Sequence, residues 1–273
     1  MNNQDKKVVI FTDLDGTLLD REDYSCKKAL GAIEHLLKRV IPVVFCSAKT
    51  RVEQEVYRSA LGISDPFIVE NGGAIFIRQG YFPFDFDYSK SEDGYQVIEL
   101  GIPYGEIRAV LKQVSRERNF DIRGFGDMSA DEVASLTGLD LEAASRAKQR
   151  EYDETLTMEG TPEEIDGALR AIAKKGLNCT SGGRYYDVMG GNDKGKATRI
   201  LTTLFRKKFG ELRTVAIGDS PNDLPMLSEV ELPFLVQQPG GTWEELDLPH
   251  LQRVNAVGPE GWSKAIEKIG VDY

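Results

Sequence analysis

The chain has 273 residues, of which 41% are hydrophobic and 29% charged; this predicts a globular protein of one large or two smaller domains and excludes a disordered one. The formal net charge of −10 argues against nucleic acid as a partner. No apolar run approaches the roughly 18 residues needed to span a bilayer, so we expect a cytoplasmic protein with no membrane partner.

Strands and helices alternate in the first part of the chain. Short apolar runs are typical of buried parallel strands, and apolar residues at helical spacing mark the helices between them. The sequence Asn71-Gly72-Gly73 predicts a hairpin turn into a further strand at 74–77. This alternation predicts an α/β fold of the Rossmann type with a mostly parallel core sheet. The other elements predicted here are strands at 7–12, 42–46 and 66–70, and helices at 25–40 and 50–61.

The pattern changes between residues 84 and 189 and then returns. We expect residues 85–189, called the insert below, to form a separate α+β cap domain between two parts of one core, 1–84 and 190–273. A capping box at Ser129–Glu132 marks one helix start in the insert, and the N-cap Thr161, followed by Pro162 and acidic residues, marks another. The remaining predicted elements are strands at 96–100, 154–158, 214–217 and 233–236, and helices at 104–118, 141–149, 162–175 and around 197–205.

Polar residues suited to phosphate chemistry follow the predicted core strands, and a further one, Lys194, lies in the sequence Asn192-Asp193-Lys194-Gly195-Lys196. Each is more often structural when it occurs alone; an Asp-Gly pair after a strand, for instance, is usually a turn. Taken together and in this order, they resemble the four sequence motifs of the haloacid dehalogenase (HAD) superfamily. The residues are Asp13, Asp15 and Thr17 after the first strand, Ser47 after the second, Lys194, and Asp219 and Asp223 after strand 214–217.

The resemblance implies a phosphatase that works through a covalent intermediate. Asp13 would attack phosphorus to give an aspartyl-phosphate, and Asp15 would protonate the leaving oxygen and later activate water. Ser47 and Lys194 would hold the phosphoryl oxygens. A phosphate monoester repels a carboxylate nucleophile, so positive charge must offset that repulsion before attack.

The same resemblance implies a magnesium ion as the source of that positive charge. Its expected ligands are Asp13, the backbone carbonyl of Asp15 and the side chain of Asp219, with Asp223 as a direct or supporting ligand. Hard oxygen atoms are the ligands that Mg²⁺ prefers.

Two stretches of the insert contain arginines: Gln149–Glu154, with further charged residues, and Ser181–Tyr185, with two glycines. With the sequences around Glu70 and Lys194, they resemble a subgroup of the superfamily, the mannosyl-3-phosphoglycerate phosphatases, whose substrate is a small phosphorylated sugar derivative. The resemblance makes Arg150 or Arg184 the expected bidentate partner of the glycerate carboxylate. Ser181, Gly182 and Gly183 would let the backbone approach the substrate. An ordinary charged strand and a hairpin turn explain the two stretches equally well.

The second motif departs from the commonest pattern. It is Ser47-Ala48-Lys49-Thr50, where many related sugar phosphatases have Thr-Gly-Arg. Lys49 keeps the positive charge of that arginine but lacks its bidentate fork.

Three alternatives remain open at the level of sequence. The substrate could be another sugar phosphate, including glucosyl-3-phosphoglycerate, because one altered hydroxyl leaves no mark in a motif. A phosphomutase uses a similar aspartyl-phosphate. A non-enzymatic sugar-phosphate sensor has no need of Asp13 and Asp15 together. The sequence carries no signal for an oligomeric state.

Overall fold

Thirteen strands and nine α-helices occupy the part of the chain that the structure, a computed structural model, describes: residues 6–182 and 185–270. The strands are β1 (Lys7–Thr12), β2 (Val43–Phe45), β3 (Phe67–Val69), β4 (Ala74–Arg78), β5 (Lys90–Glu92), β6 (Tyr95–Glu99), β7 (Arg123–Gly124), β8 (Asp153–Thr157), β9 (Asn178–Gly182), β10 (Tyr185–Met189), β11 (Leu212–Gly218), β12 (Leu232–Gln237) and β13 (Gln252–Val257). The helices are α1 (Leu30–Lys38), α2 (Arg51–Leu61), α3 (Tyr104–Arg118), α4 (Ala130–Thr137), α5 (Leu141–Ala147), α6 (Pro162–Lys174), α7 (Lys194–Phe209), α8 (Leu224–Ser228) and α9 (Gly258–Lys268).

Five parallel strands form the core sheet, in the order β13-β12-β11-β1-β2. Side chains alternate between its two faces, so Ile10 packs with α1 and α9 while Phe11 packs with α7 and α8. Both faces are therefore covered, which explains why residues 8–12 of β1 are all buried. The predicted α/β fold with a mostly parallel core sheet is confirmed.

A second sheet, here called the middle sheet, extends from the edge of the core. Its antiparallel order is β3-β4-β6-β5, and a parallel bridge between Cys46 and Ile68 connects β3 to the end of β2. The hairpin predicted at Asn71-Gly72-Gly73 is present, with Val69 opposite Ala74. Strand β6 pairs with β4, although its residues lie within the predicted insert, 85–189. The predicted division at residue 84 thus stays a prediction.

The third sheet lies wholly within the insert. Its antiparallel order is β7-β8-β10-β9, and helices α3 and α6 pack on it through Leu111 and Ile172, which meet Leu156 and Val188. The shorter α4 and α5 form a separate small cluster around Val133. The predicted capping box is present at the start of α4, and the predicted N-cap Thr161 also forms a capping box at the start of α6.

One buried carboxylate attaches the insert to the core. Glu70, in the turn between β3 and β4, accepts hydrogen bonds from the backbone N–H groups of Glu151 (3.0 Å), Tyr152 (2.6 Å) and Asp153 (2.9 Å). Burial raises the pKa of Glu70, and Arg150 and these amides oppose that effect. The start of β8 is therefore fixed against the core at the edge where the polar motifs meet.

None of the helices in the described part of the chain combines the length and the apolar character that a bilayer span requires.

Gly72, in the turn between β3 and β4, packs closely against the loop that precedes α7. Its φ is +89°, and a Cβ there would lie 2.2 Å from the backbone oxygen of Asp193. Gly176, at φ +88°, would meet nothing within 4 Å and serves as a matched control. We expect Gly176→Ala to cost about 1–2 kcal/mol through its backbone conformation alone. Gly72→Ala should cost about 2 kcal/mol more, because the backbone must also move.

Urea unfolding of both variants measures the difference. Equal losses would show that the loop before α7 accommodates the extra methyl group freely.

Candidate active site

The carboxyl edge of the core sheet collects the polar residues that the sequence singled out. Parallel strands end at the same edge, which is where open α/β sheets bind ligands. Asp13 follows β1, Ser47 follows β2, Asp219 follows β11, and Lys194 begins α7. All four side chains are buried.

Lys194 is the centre of this group. Its Nζ lies 2.7 Å from Asp13 Oδ1 and 2.7 Å from Asp223 Oδ1. Asp193 caps α7 by accepting a hydrogen bond from the backbone N–H of Lys196 at 2.8 Å, which fixes the turn from which Lys194 extends. One ammonium group thus neutralises part of the charge of two carboxylates.

The pKa values at this centre reflect burial and mutual repulsion. Burial raises the pKa of Asp13 well above its ordinary value; Lys194 opposes that effect, and the neighbouring Asp223 and Asp219 add to it. Burial alone would lower the pKa of Lys194, but Asp13 and Asp223 outweigh it and raise the pKa. Lys194 is therefore charged.

Asp219 is held from three sides. Its Oδ2 accepts hydrogen bonds from Arg21 Nη2 at 2.9 Å and Gln238 Nε2 at 2.8 Å, and its Oδ1 accepts one from Thr17 Oγ1 at 3.2 Å. Burial and then Asp223 raise the pKa of Asp219 to about 7, against the effect of Arg21.

Asp13, Asp219 and Asp223 form a cluster that suits a divalent cation. One carboxylate oxygen from each lies within 4.8 Å of the others. Two cationic side chains, Lys194 and the half-exposed Arg21, form ion pairs with these three carboxylates. Two positive charges cannot balance three negative ones, so the cluster keeps a net negative charge. Hard cations prefer such oxygen donors, and the donor set therefore fits one. The contribution expected from the Asp15 backbone carbonyl stays a prediction.

Asp15 lies at the edge of the centre and is partly exposed. Its Oδ1 is 3.1 Å from Nζ of Lys49, which also lies 3.5 Å from Glu53 Oε1. Burial tends to lower the pKa of Lys49, but Asp15 and Glu53 outweigh it and raise the pKa. The second-motif lysine therefore carries a full charge beside Asp15.

The segment from Ser47 to Arg51 connects the strand end to the insert. Ser47 is buried, and its Oγ accepts a hydrogen bond from the backbone N–H of Lys49 at 3.3 Å. Three contacts reach the insert from the residues that follow: Arg150 Nη1 to Ala48 O at 3.3 Å, Thr50 Oγ1 to Arg146 O at 3.1 Å, and Arg51 Nε to Glu151 Oε1 at 3.2 Å.

The residues expected to recognise the substrate are only partly described. Arg150 is almost fully buried and forms an ion pair with Asp153 as well as its bond to the core. Ser181 and Gly182 lie in β9, opposite Tyr186 and Tyr185. Gly183 and Arg184 are outside the described residues. The substrate-binding roles of all five stay predictions.

A cavity of about 610 Å³ opens between the insert and this edge of the core. Leu169 of α6 and Thr180 of β9 line it on the insert side, and Asn71, Lys194 and Asn222 line it on the core side. Lys194 lines this cavity, but Asp13, Asp15, Ser47 and Asp219 are not among its lining residues, so the cavity adjoins the centre without enclosing it.

Sequence reasoning did not identify Arg21, Gln238 or Asn71 as site residues. Gln238 directly follows β12, so applying the strand-end rule to that strand would have found it. Asn71 donates to Asp153 and Asp187 of the insert, both at 3.3 Å, and its place in a turn hid that role. Arg21 lies in a loop and has no sequence signal beyond its nearness to Asp13.

The parallel core, the buried Asp13–Lys194–Asp223 centre and the inserted sheet define a hydrolase of the HAD type. A profile of the haloacid dehalogenase-like hydrolase family matches residues 10–238. The chain belongs to this family.

Relatives of known name align with nearly the whole chain. A glucosyl-3-phosphoglycerate/mannosyl-3-phosphoglycerate phosphatase from Methanococcoides burtonii is 46% identical over 95% of this chain and 96% of its own. A mannosyl-3-phosphoglycerate phosphatase from Pyrococcus furiosus is 40% identical over 84% of this chain and 90% of its own.

Solved structures share the fold at low identity. A HAD-superfamily phosphatase from Bacteroides thetaiotaomicron has a TM-score of 0.69 at 17% identity, covering 99% of this chain and 98% of its own. The sucrose-phosphatase of Synechocystis has a TM-score of 0.61 at 15% identity, covering 96% and 98%.

Replacing Lys194 tests the electrostatic balance of the centre without reference to activity. Lys194→Met leaves the buried Asp13 and Asp223 without their cation, and should lower the free energy of unfolding by about 3–5 kcal/mol. Lys196 is an exposed lysine two residues further along α7, and Lys196→Met should change the free energy of unfolding by less than about 0.5 kcal/mol. Adding Asp13→Asn to Lys194→Met should recover part of the loss, because one buried charge is removed. Denaturant unfolding in metal-free buffer measures all three; a double variant as unstable as the single one would contradict this balance.

Proposed function

We propose that this protein is a magnesium-dependent phosphatase that hydrolyses mannosyl-3-phosphoglycerate to mannosylglycerate and phosphate. The main support for the chemistry is the bond between Lys194 and Asp13 Oδ1, which leaves the other oxygen of Asp13 available for attack. The support for the substrate is the pair of relatives named for this ester, at 46% and 40% identity.

In the first step, an oxygen of Asp13 forms a bond to phosphorus while the ester P–O bond breaks. Asp15 gives a proton to the departing ester oxygen, and an aspartyl-phosphate remains. In the second step, Asp15 takes a proton from water, the resulting hydroxide attacks phosphorus, and Asp13 and inorganic phosphate are released. Lys194 and Ser47 hold phosphoryl oxygens throughout.

Magnesium held by Asp13, Asp219 and Asp223 would supply positive charge against the repulsion between the phosphate dianion and these carboxylates. Arg21, Thr17 and Gln238 keep Asp219 in place through the contacts given above. Closure of the insert over the site would exclude water from the reacting groups.

The glycerate and sugar parts of the substrate would lie between the insert and the core. Arg150 or Arg184 is proposed to bind the carboxylate, with Ser181, Gly182 and Gly183 nearby. Arg150 already pairs with Asp153, so its role requires that pair to open or to share the guanidinium.

A second candidate substrate is glucosyl-3-phosphoglycerate. It is favoured by the relative from Methanococcoides burtonii, whose name includes both esters. Glucose and mannose differ at one hydroxyl, which alters few contacts. Phosphomutase activity would be distinguished by phosphate retained on the product, and a sensor by the absence of turnover.

Rates of phosphate release from a panel of phosphate esters test the proposed substrate. We expect phosphate release from mannosyl-3-phosphoglycerate with kcat/KM at least about 100-fold above that for simple hexose phosphates, because remote contacts orient the ester. Asp13→Asn should lower turnover at least about 1,000-fold without altering the fold, since an amide is not a nucleophile here. A parent protein that prefers hexose phosphates would refute the substrate, and an active Asp13→Asn would refute the nucleophile.

Magnesium should stabilise the protein as well as activate it. Mg²⁺ at about 100 times its Kd should raise the free energy of unfolding by about 2.7 kcal/mol, because it binds the folded triad only. Asp219→Asn should lose most of that gain, whereas Asp247→Asn, in the loop before β13, should keep it. Thermal unfolding with and without chelator measures the shift; full activity and an unchanged Tm in chelator would reject the metal site.

A further inference from the structure

Lys49 is the buried cation of the second motif that the proposed chemistry does not use. Only 6% of the residue is exposed. Its Nζ lies 3.1 Å from Asp15 Oδ1 and 3.5 Å from Glu53 Oε1, and 4.9 Å and 6.0 Å from the ring centres of Tyr24 and Tyr57. A lysine this deeply buried is rare unless it is paired, and both of its carboxylate partners are identified.

The two oxygens of Asp15 have different surroundings. Oδ1 is buried and faces the Lys49 ammonium, yet accepts no well-aligned hydrogen bond among the described residues. The side chain as a whole is 40% exposed, so the exposure lies on its other atoms. The ion pair thus engages one oxygen of Asp15 and leaves the second free to face a ligand.

Glu53 fixes the position of Lys49 in turn. Its Oε2 accepts the backbone N–H of Thr50 at 2.9 Å, while Thr50 Oγ1 accepts the backbone N–H of Glu53 at 3.3 Å. This capping box at the start of α2 leaves Oε1 of Glu53 directed at Lys49. A rigid helix start therefore determines where the ammonium group lies.

We propose that Lys49, held by Glu53, is a positioning residue that engages one oxygen of Asp15 and so directs the other to the leaving oxygen of the phosphate ester. The inference rests on the proposed phosphatase function and assigns a role to a residue outside the phosphate and metal contacts. Proton transfer in the transition state requires the donor within hydrogen-bond reach and correctly aligned. An Asp15 side chain free to rotate would meet that condition only part of the time.

A series of phosphate esters with different leaving groups tests this role. When the leaving group is a stable anion, such as dinitrophenolate, it needs no proton; an alkoxide does. Lys49→Met should therefore lower kcat/KM by at least about 30-fold for mannosyl-3-phosphoglycerate and simple alkyl phosphates, and by less than about threefold for dinitrophenyl phosphate. Values of kcat/KM are used because they report only steps up to departure of the leaving group.

Three further variants separate positioning from structure. Lys49→Arg should recover most of the alkyl-ester activity, since it keeps the charge. Glu53→Gln should show the same dependence on leaving group with a smaller loss, because its amide can keep the capping bond but not the ion pair. Lys90→Met is the matched control: Lys90 also pairs with two carboxylates, Glu92 and Glu99, but in the middle sheet, and its removal should affect all esters equally and by less than about twofold.

The outcomes of these experiments distinguish a failure of this inference from a failure of the proposed phosphatase function on which it rests. Equal losses on every ester in Lys49→Met, in a variant with parental Tm and circular dichroism, would show that Lys49 serves phosphate binding or the fold and would overturn the inference alone. Poor folding of Lys49→Met leaves Glu53→Gln and Lys49→Arg to decide in the same way. A parent protein that hydrolyses aryl and alkyl phosphates but not the glycosyl ester would refute the substrate and leave this test intact. A parent that hydrolyses no ester would overturn the phosphatase function and the inference with it.

Discussion

The pair of bonds from Lys194 to Asp13 and Asp223 is the interaction on which the rest of the site depends. Asp13 comes from the first part of the chain, and Lys194 and Asp223 from the last, with the whole insert between them. Breaking such a buried pair leaves a charge without a partner, which is far more costly than losing a surface contact. Once β1 and β11 pair in register along six residues, the ends of both strands lie side by side and the three groups can meet. Pairing of the core sheet is thus a condition for any chemistry here.

The insert is attached to the core at the same edge, by contacts of a different kind. The buried carboxylate of Glu70 accepts hydrogen bonds from three backbone N–H groups of the insert. Leaving a buried carboxylate without such partners would be costly. The segment from Ser47 to Arg51 reaches the insert through three further bonds. These attachments lie next to Ser47 and Lys49, so a movement of the insert would act directly on residues beside the phosphate site. Under the proposed function, this short stretch of chain would link substrate recognition by the insert to the chemistry at the core edge.

Much of this fold follows from local sequence signals. β1 and α3 have the boundaries that apolar periodicity predicts, and the capping boxes at Thr50, Ser129 and Thr161 each begin a helix. Among the elements that the prediction omitted are β13 and α9. Two of the six residues of β13 are exposed, and α9 begins with Gly-Pro and gains its stability from packing of Trp262 against the sheet rather than from a capping signal.

The candidate site was predictable where residues follow strand ends or belong to a motif that the chain shares with the superfamily. Asp13, Ser47 and Asp219 obey that rule, and the structure brings them to one edge with Lys194. Arg21 was missed because its long side chain reaches Asp219 from a loop outside the motifs, in a direction set by tertiary packing that no spacing encodes. Gln238 was missed because the strand-end rule was not applied to β12. The ion pair of Arg150 with Asp153 was missed for the same reason.

The charge balance of the centre explains why folding and cation binding should be linked in this protein. Three carboxylates converge within 4.8 Å, and Lys194 and Arg21 offset only part of their charge. The raised pKa values of Asp13 and Asp219 have burial as their main cause and carboxylate repulsion as an addition, so each ionised form is disfavoured in the folded state. A nucleophile, however, must be ionised to attack. In the proposed reaction, a bound divalent cation would resolve this conflict because it favours the charged form of every carboxylate it contacts; the same free energy would then stabilise the fold and prepare Asp13 for attack.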